Sequence, residues 1–343
     1  MEPQQNVSLA NYSTMGLGGS AAYLVEITSR FQVPAAVEWA RAKSLPLLML
    51  GGGSNTIWRD EGFPGLVLIN KISNFEVQQE DETNFYITVG AGENWDSVVE
   101  RSVQKGLTGI EALSLIPGSA GATPVQNVGA YGQEISDTLV SVEVFDTSTN
   151  EFTTLPAASC GFGYRTSRFK TTDKHRFLIT GLTIHLMKAD PEPPFYAAVQ
   201  SYFDEQNITN YTSQSLRDAV IAIRTAKLPD PAVVHNTGSF FANPIIDDAQ
   251  LRELRDTYPT MPSWETDDPE KVKIPAAWLL DQAGLKDVHD EKTGMATWPT
   301  QPLVLINENA KSTADLLAFK QKIIEIVEHK FGITLEQEPE LLP

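Results

Sequence analysis

The stretch Ile116–Ile135, IPGSAGATPVQNVGAYGQEI, decides how this chain is read. It sets four glycines, Pro117, Pro124 and the amides Gln126 and Asn127 between two ordinarily patterned regions. A packed core has no need of that composition. Glycines let the backbone reach positive φ and let a ligand approach main-chain N–H groups with no Cβ in the way. Prolines stiffen the loop around it. Composition alone leaves two readings open, a surface loop rich in turn chemistry or a loop that cradles a ligand.

Working outward, a chain of 343 residues is too long for one core and implies roughly two or three domains. A formal net charge of −18 repels phosphate backbones and anionic lipid, so neither nucleic acid nor membrane is an expected partner. A small phosphate-bearing molecule would need local cations, and Arg224 with Lys227 offers such a pair. No run approaches the roughly 18 apolar residues of a membrane span. The opening MEPQQNVSLANYS lacks the charged start and apolar stretch of a signal peptide, which leads to the expectation of a cytoplasmic protein. The single cysteine, Cys160, excludes internal disulfides and cysteine-rich metal sites.

The early chain reads as a small α/β unit, with a helix over 33–43, a short apolar strand over 45–50 running into Gly51, Gly52 and Gly53, and a strand over 66–70. Strands follow over 85–89, 140–145, 152–155 and 177–186, with an amphipathic helix over 95–105. Leu216, Ala219, Val220 and Ile223 fall at i, i+3, i+4 and i+7, which predicts a helix over 213–227 that Pro229 helps to end. Beyond it lie helices near 249–258 and 276–283, a strand over 303–306, and a well-marked last helix. Ser312 and Asp315 resemble a capping box there, Leu316, Phe319, Ile323 and Val327 form a stripe, and Gly332 closes it. The class is α+β rather than a regular βαβ alternation.

No G-x-G-x-x-G is present, since Gly90-Ala91-Gly92 begins one and fails at Trp95, and there is no Walker loop or metal-ligand spacing of histidines. A cofactor would have to be held another way, by the two glycine-rich segments together. The wording of those segments resembles the UDP-N-acetylenolpyruvoylglucosamine reductase family. PVQNVGAYG preceded by IPG is similar to its flavin loop, and NYSTMGLGG (11–19), LGGGSN (50–55), VGAGENW (89–95), FGYRTS (162–167), RTAKLPDP (224–231), GSFFANP (238–244) and LVLINENAKS (303–312) match it in the same order.

The resemblance implies a non-Rossmann FAD-binding fold of the vanillyl-alcohol oxidase/p-cresol methylhydroxylase type plus an α+β substrate-binding domain. The implied division is residues 1–72 with the tail 333–343, residues 73–228, and a substrate-binding part over 229–332. It implies FAD held by Gly51, Gly52, Gly53, Ser54, Asn55, Pro117, Gly118, Ser119, Gly121, Ala122, Thr123, Gln126, Asn127 and Gly129. The first histidine is His175, far from the first glycine segment where related oxidases attach flavin, so non-covalent FAD is expected. NADPH is the expected co-substrate, and the expected state is a monomer acting on a UDP-sugar in peptidoglycan synthesis. The alternatives are another FAD oxidoreductase of this fold and a catalytically silent nucleotide-sugar-binding protein.

In the implied reaction hydride reaches the β carbon of an enolpyruvyl ether, so electron density gathers on the α carbon and its carboxylate. Cations stabilise that state, and a positioned acid must protonate the α carbon. Arg165 matches the family's active-site arginine, and a guanidinium can hold a carboxylate by two parallel hydrogen bonds. Ser239 matches the proton-donating serine. Glu338 is the third catalytic candidate: LEQE (335–338) lies over the family's LEPE, with Gln337 replacing the usual proline. A shifted register through Glu338-Pro339-Glu340 would assign Glu340 instead. Tyr131, Tyr196, Arg224, Lys227, Asn243 and Gln301 match positions that contact the UDP-sugar or its enolpyruvyl group.

Overall fold

The apolar runs that read as early strands become the centre of a parallel arrangement. Leu47–Leu50 and Ser20–Ile27 flank Phe63–Asn70, whose residues from Leu66 onward are all buried, and Gln4–Ser8 completes the sheet at the edge beyond Ser20–Ile27. Burial on both faces explains why Leu66-Val67-Leu68-Ile69 runs apolar without alternation. This is a computed structural model, describing residues 2–343. The chain forms two units: one joins the segment ending at Val7 with Ala21–Gly53 and Phe63–Ala226, the other joins Ser8–Ser20, Ser54–Gly62 and Lys227–Pro343.

The first unit adds a five-stranded antiparallel sheet in the order Glu151–Pro156, Leu139–Asp146, Phe177–Met187, Asn84–Gly90, Phe75–Gln79. Helix Val33–Ala42 lays Val33, Ala36, Val37 and Ala40 in one cluster with Ile27, Leu66 and Leu68 of the parallel sheet and Phe145 and Leu178 of the antiparallel one. That shared core is why residues on either side of position 72, expected in separate parts, lie in one unit. Helix Trp95–Gln104 starts where the Asn94 side chain accepts the Ser97 N–H at 3.0 Å. It buries Trp95, Val98, Val99 and Val103 against Ile87, Val89, Leu182 and Ile184.

In the second unit, helix Thr313–Phe331 follows its sequence markers closely. Ser312 and Asp315 form the capping box, the stripe Leu316, Phe319, Ile323 and Val327 is buried, and Gly332 takes φ 64° as the left-handed cap. It packs with helix Ala276–Gln282 and an antiparallel sheet ordered Asn236–Ser239, Gln301–Asn307, Met295–Trp298, His289–Asp290. A smaller sheet joins Ile245–Asp247, Lys271–Lys273 and Trp264–Glu265. The tail returns to an early segment, since Glu340–Leu342 pairs in parallel with Thr56–Trp58. That early segment itself sits in the second unit, tied by Ser13 Oγ to the Thr56 carbonyl at 2.7 Å and by Thr313 Oγ1 to the Trp58 carbonyl at 2.6 Å.

One buried carboxylate makes the antiparallel sheet sensitive to acid. Asp146, 5% exposed, ends its strand and accepts hydrogen bonds from Arg176 Nη2 at 2.6 Å, Ser148 N at 2.8 Å and Ser148 Oγ at 2.6 Å. Arg176 holds this carboxyl far below its ordinary value of 3.8, against burial, which pushes it up. A depressed folded-state value means the stabilisation is complete above the unfolded-state value and is lost as pH falls below it toward the folded one. Asp146→Asn should therefore lower stability at neutral pH by about 1.5–3 kcal/mol, the range for hydrogen bonds to a charged group. Thermal unfolding at pH 7 and near pH 3 checks it: the difference from wild type should shrink in acid, and a constant difference would contradict the assignment.

Candidate active site

In the first unit the two glycine-rich segments meet. A Cβ on Gly52 would lie 2.8 Å from the Gly118 Cα, a backbone approach that no side chain permits. A Cβ on Gly51 would strike the Ser119 hydroxyl. That Oγ is buried and has no hydrogen-bond partner among the described residues. An orphaned hydroxyl beside a cradle of bare backbone is what a diphosphate oxygen would complete, so these residues fit the phosphate end of FAD. Gly53 and Gly118 stand at φ 66° and 125°. Ser54 and Asn55 continue the first segment into the second unit, where the Asn55 carbonyl accepts the Glu340 N–H at 2.9 Å.

The flavin-type loop is seated by the failed dinucleotide motif. Gly121 N–H donates to the Ala91 carbonyl at 2.9 Å, and its absent Cβ would come within 2.5 Å of the Ala91 Cβ. Ala120 N–H donates to Glu93 and Trp95 N–H to Gly118. Gly90 and Gly92 are glycines because the backbone of Ile72–Asn74 and Lys71–Ile72 passes against them. Farther along, Thr123 Oγ1 donates to Ala120, Ser167 Oγ donates to Val125 at 2.6 Å, and Lys170 Nζ reaches Gln126 Oε1 at 3.4 Å. The Asn127 side chain is engaged within the protein: its Nδ2 donates to Glu134 at 2.7 Å and to the Gly163 carbonyl at 3.3 Å, and its Oδ1 accepts from Ser136. Pro117 and Ala122 bracket this turn, Ala122 closing a short 3₁₀ segment from Ala120.

Arg165 sits at the tip of a tight turn closed by two 3.2 Å hydrogen bonds between Gly163 and Thr166, with φ at 51°. Its Nη2 donates to the Gly129 carbonyl at 2.6 Å, and its Nη1 reaches the Asn127 carbonyl at 3.4 Å. The structure thus places the predicted arginine on the predicted flavin loop. Tyr131, also left-handed at φ 49°, meets the Tyr196 ring edge-on at 5.6 Å and interacts electrostatically with Arg224. Burial pulls the Arg224 guanidinium below its ordinary value, and its Nε is buried without a partner among the described residues. Burial likewise pushes the Tyr131 phenol up.

In the second unit Ser239 ends its strand opposite Val304, after a bulge where Gly238, at φ 71°, donates to Asn236 Oδ1 at 2.8 Å. The chain tail runs beside it. Glu338 N–H donates to the Phe240 carbonyl at 2.9 Å, Phe241 bridges Gln337, and Ala242 N–H donates to Glu336. Glu338 is therefore fixed next to the Ser239 segment, whereas Glu340 lies in the strand paired with Thr56. Gln337, in the place of the family's proline, accepts from Lys320 and donates to the Pro339 carbonyl. Asn243 Oδ1 accepts the Ala276 N–H at 2.9 Å and so caps a helix. Lys227 is exposed, its carbonyl accepting from Thr300 Oγ1 beside Gln301.

Sequence reasoning missed three charged groups in the first unit, Asp96, Arg217 and Glu111. Asp96 accepts from Arg217 at 2.7 and 3.0 Å and from the Leu115 N–H at 2.6 Å, and Arg217 also reaches Ser114. Burial raises the Asp96 carboxyl, and the hydrogen bonds from Arg217 and Leu115 outweigh it, leaving a net depression. Glu111, 1% exposed, accepts from Thr108, Gly109 and Gln133. Asp96 looked like an ordinary acid in a helix first turn. Its partner is far away in sequence, so no local signal exposes the pair.

Comparison with known proteins places the chain in a family. Residues 21–155 match the model of an FAD binding domain, which makes the chain a flavoprotein by class. Residues 230–342 match the C-terminal domain of UDP-N-acetylenolpyruvoylglucosamine reductase. Curated reductases of that name from Burkholderia cenocepacia and Polynucleobacter asymbioticus are 40% and 39% identical, over 96% and 98% of this chain and 94% and 96% of theirs. The one from Chromobacterium violaceum is 37% identical over 98% of each chain. The chain belongs to the UDP-N-acetylenolpyruvoylglucosamine reductase family. A crystal structure of the reductase from Thermus caldophilus superposes over the whole of both chains with a TM-score of 0.68 at 23% identity, which establishes a shared fold. Among the described residues no helix is long and apolar enough to cross a membrane.

If the Gly52 approach forms the cofactor cradle, a single methyl group should spoil it. Gly52→Ala meets backbone rather than a movable side chain, so the loops must separate. The purified variant should carry far less flavin per chain than wild type, read from its visible absorbance, with far-ultraviolet circular dichroism unchanged. Wild-type flavin content would contradict the cradle.

Proposed function

We propose that this protein carries out the NADPH-driven, FAD-dependent reduction of UDP-N-acetylenolpyruvoylglucosamine to UDP-N-acetylmuramate, for peptidoglycan synthesis in the cytoplasm, as a monomer with non-covalent FAD. The observation that carries the reading is the guanidinium of Arg165 set on the carbonyls of Asn127 and Gly129, within the loop that would hold FAD. Bound FAD supplies the relay that passes hydride from NADPH to the β carbon of the enolpyruvyl ether. Gly51–Gly53, Gly118 and Ser119 would hold its diphosphate, and the remainder of the loop to Gly129 would contribute further contacts.

Arg165 holds the substrate carboxylate and stabilises the negative charge that builds beside it. Ser239 donates the proton to the α carbon. A hydroxyl is ordinarily a very weak acid, but a carbon base next to a carboxylate is basic enough to take its proton when geometry is good and a cation is near. Glu338 assists at the same carbon. Its backbone bond to Phe240 supports this register over the one that assigns Glu340. Tyr131, Tyr196 and Arg224 bind the nucleotide sugar, with the half-buried Arg224 suited to a diphosphate. Lys227, Asn243 and Gln301 complete its contacts, Asn243 also serving as a helix cap.

The serine role predicts a split between half-reactions, because α-carbon protonation belongs only to the second. Ser239→Ala should accept electrons from NADPH at a near-normal rate under anaerobic stopped flow. Reoxidation by the enolpyruvyl substrate should slow on the order of 100-fold or more, as expected for a lost general acid. Equal slowing of both steps would make Ser239 structural.

The tail makes a separate prediction. Glu338→Gln should slow reoxidation by substrate while flavin content and NADPH reduction stay intact, and Glu340→Gln should leave all three rates and contents near wild type. The reverse pattern would establish the shifted register.

A further inference from the structure

Arg165 does not hold its position alone. Its Nη1 lies 4.0 Å from Glu134 Oε1, while the other oxygen of that carboxylate accepts the Asn127 Nδ2 at 2.7 Å. Asn127 in turn donates to the carbonyl of Gly163, the residue that opens the Arg165 turn. Gly129 lies between the two charged side chains: a Cβ there would stand 2.8 Å from Glu134 Cγ and 3.1 Å from Arg165 Nη1. Glu134 has its own anchor, its N–H donating to Asp137 Oδ2 at 2.7 Å as the short helix Ile135–Thr138 begins. Asn127 and Arg165 both occupy left-handed backbone, at φ 49° and 51°, a conformation Asn takes readily and an arginine uncommonly.

From this arrangement we infer that Glu134 is a positioning residue for Arg165, with Asn127 as the link that fixes both. The inference rests on the reading of Arg165 as the carboxylate-holding arginine. Arg165 is directed by its 2.6 Å bond to the Gly129 carbonyl, and its 4.0 Å ion pair with Glu134 is long and partly exposed, hence weak. Glu134 contributes direction through Asn127, and its charge opposes an incoming anion slightly.

These two contributions separate by substitution. Glu134→Gln keeps an oxygen for Asn127 and removes the charge; Glu134→Ala removes both. The alanine variant should lose about 10- to 100-fold in flavin reoxidation by the enolpyruvyl substrate, the scale of a misdirected positioning group. The glutamine variant should keep the wild-type reoxidation rate at saturation and show a KM for that substrate lowered about two- to fivefold, the scale of one weak ion pair. Both should retain FAD and wild-type NADPH reduction. The inference is overturned if the two variants behave alike, if both match wild type, or if flavin reduction by NADPH slows as much as reoxidation. Arg165→Ala separates the underlying reading. Should that variant reoxidise normally, Arg165 is not the carboxylate holder; should it fail while Glu134→Ala is normal, only the role of Glu134 falls.

Discussion

The first-unit site depends on one close approach, that of the Gly52 backbone to the Gly118 backbone. Two segments separated by the strands and helix of residues 63–104 can present bare N–H groups to one ligand only if neither carries a side chain at the crossing. Everything that seats the second segment serves this crossing. Ala91 and Glu93 receive its N–H groups, Trp95 donates back to Gly118, and the buried Trp95 indole anchors on the Leu113 carbonyl. The same segment continues to Gly129, where its carbonyl receives Arg165. The loop that makes the Gly52 crossing is thus also the loop on which Arg165 docks, and a disturbance at its seat is felt at both.

Much of this was legible in the residues. The last helix announced itself through Ser312, Asp315, its stripe and Gly332, because cap, face and stop are all local signals. The strands over 139–146 and 177–187 carried enough apolar length to be seen within a residue or two at either end. Glycine density marked both halves of the cradle. Helix Ala197–Gln206 was not legible, since only Val199 and Phe203 are buried and two residues make no stripe. Thr56–Trp58 and Glu340–Leu342 are three residues each and become strands only by pairing with each other across most of the chain.

What the sequence hid at the site follows the same rule. Gly90 and Gly92 read as a broken nucleotide motif, but the structure gives them packing work against the backbone of residues 71–74. Asn127 read as a ligand contact, and its side chain also joins Glu134, Gly163 and Ser136. Asp96 and Arg217, or Glu134 and Arg165, form pairs whose members are ordinary surface residues until the fold brings them together. Charge pairing at long range leaves no periodicity to read, whereas backbone demands for glycine do.

If this chain passes electrons from NADPH through FAD to an enolpyruvyl ether, the flavin colour of the wild-type protein, followed without oxygen, reports both transfers. NADPH should bleach the bound flavin, and UDP-N-acetylenolpyruvoylglucosamine added next should restore the colour while one UDP-N-acetylmuramate forms per flavin reoxidised. Flavin that stays bleached in the presence of that substrate, and recovers only when air is admitted, would show that the enolpyruvyl ether is not its electron acceptor.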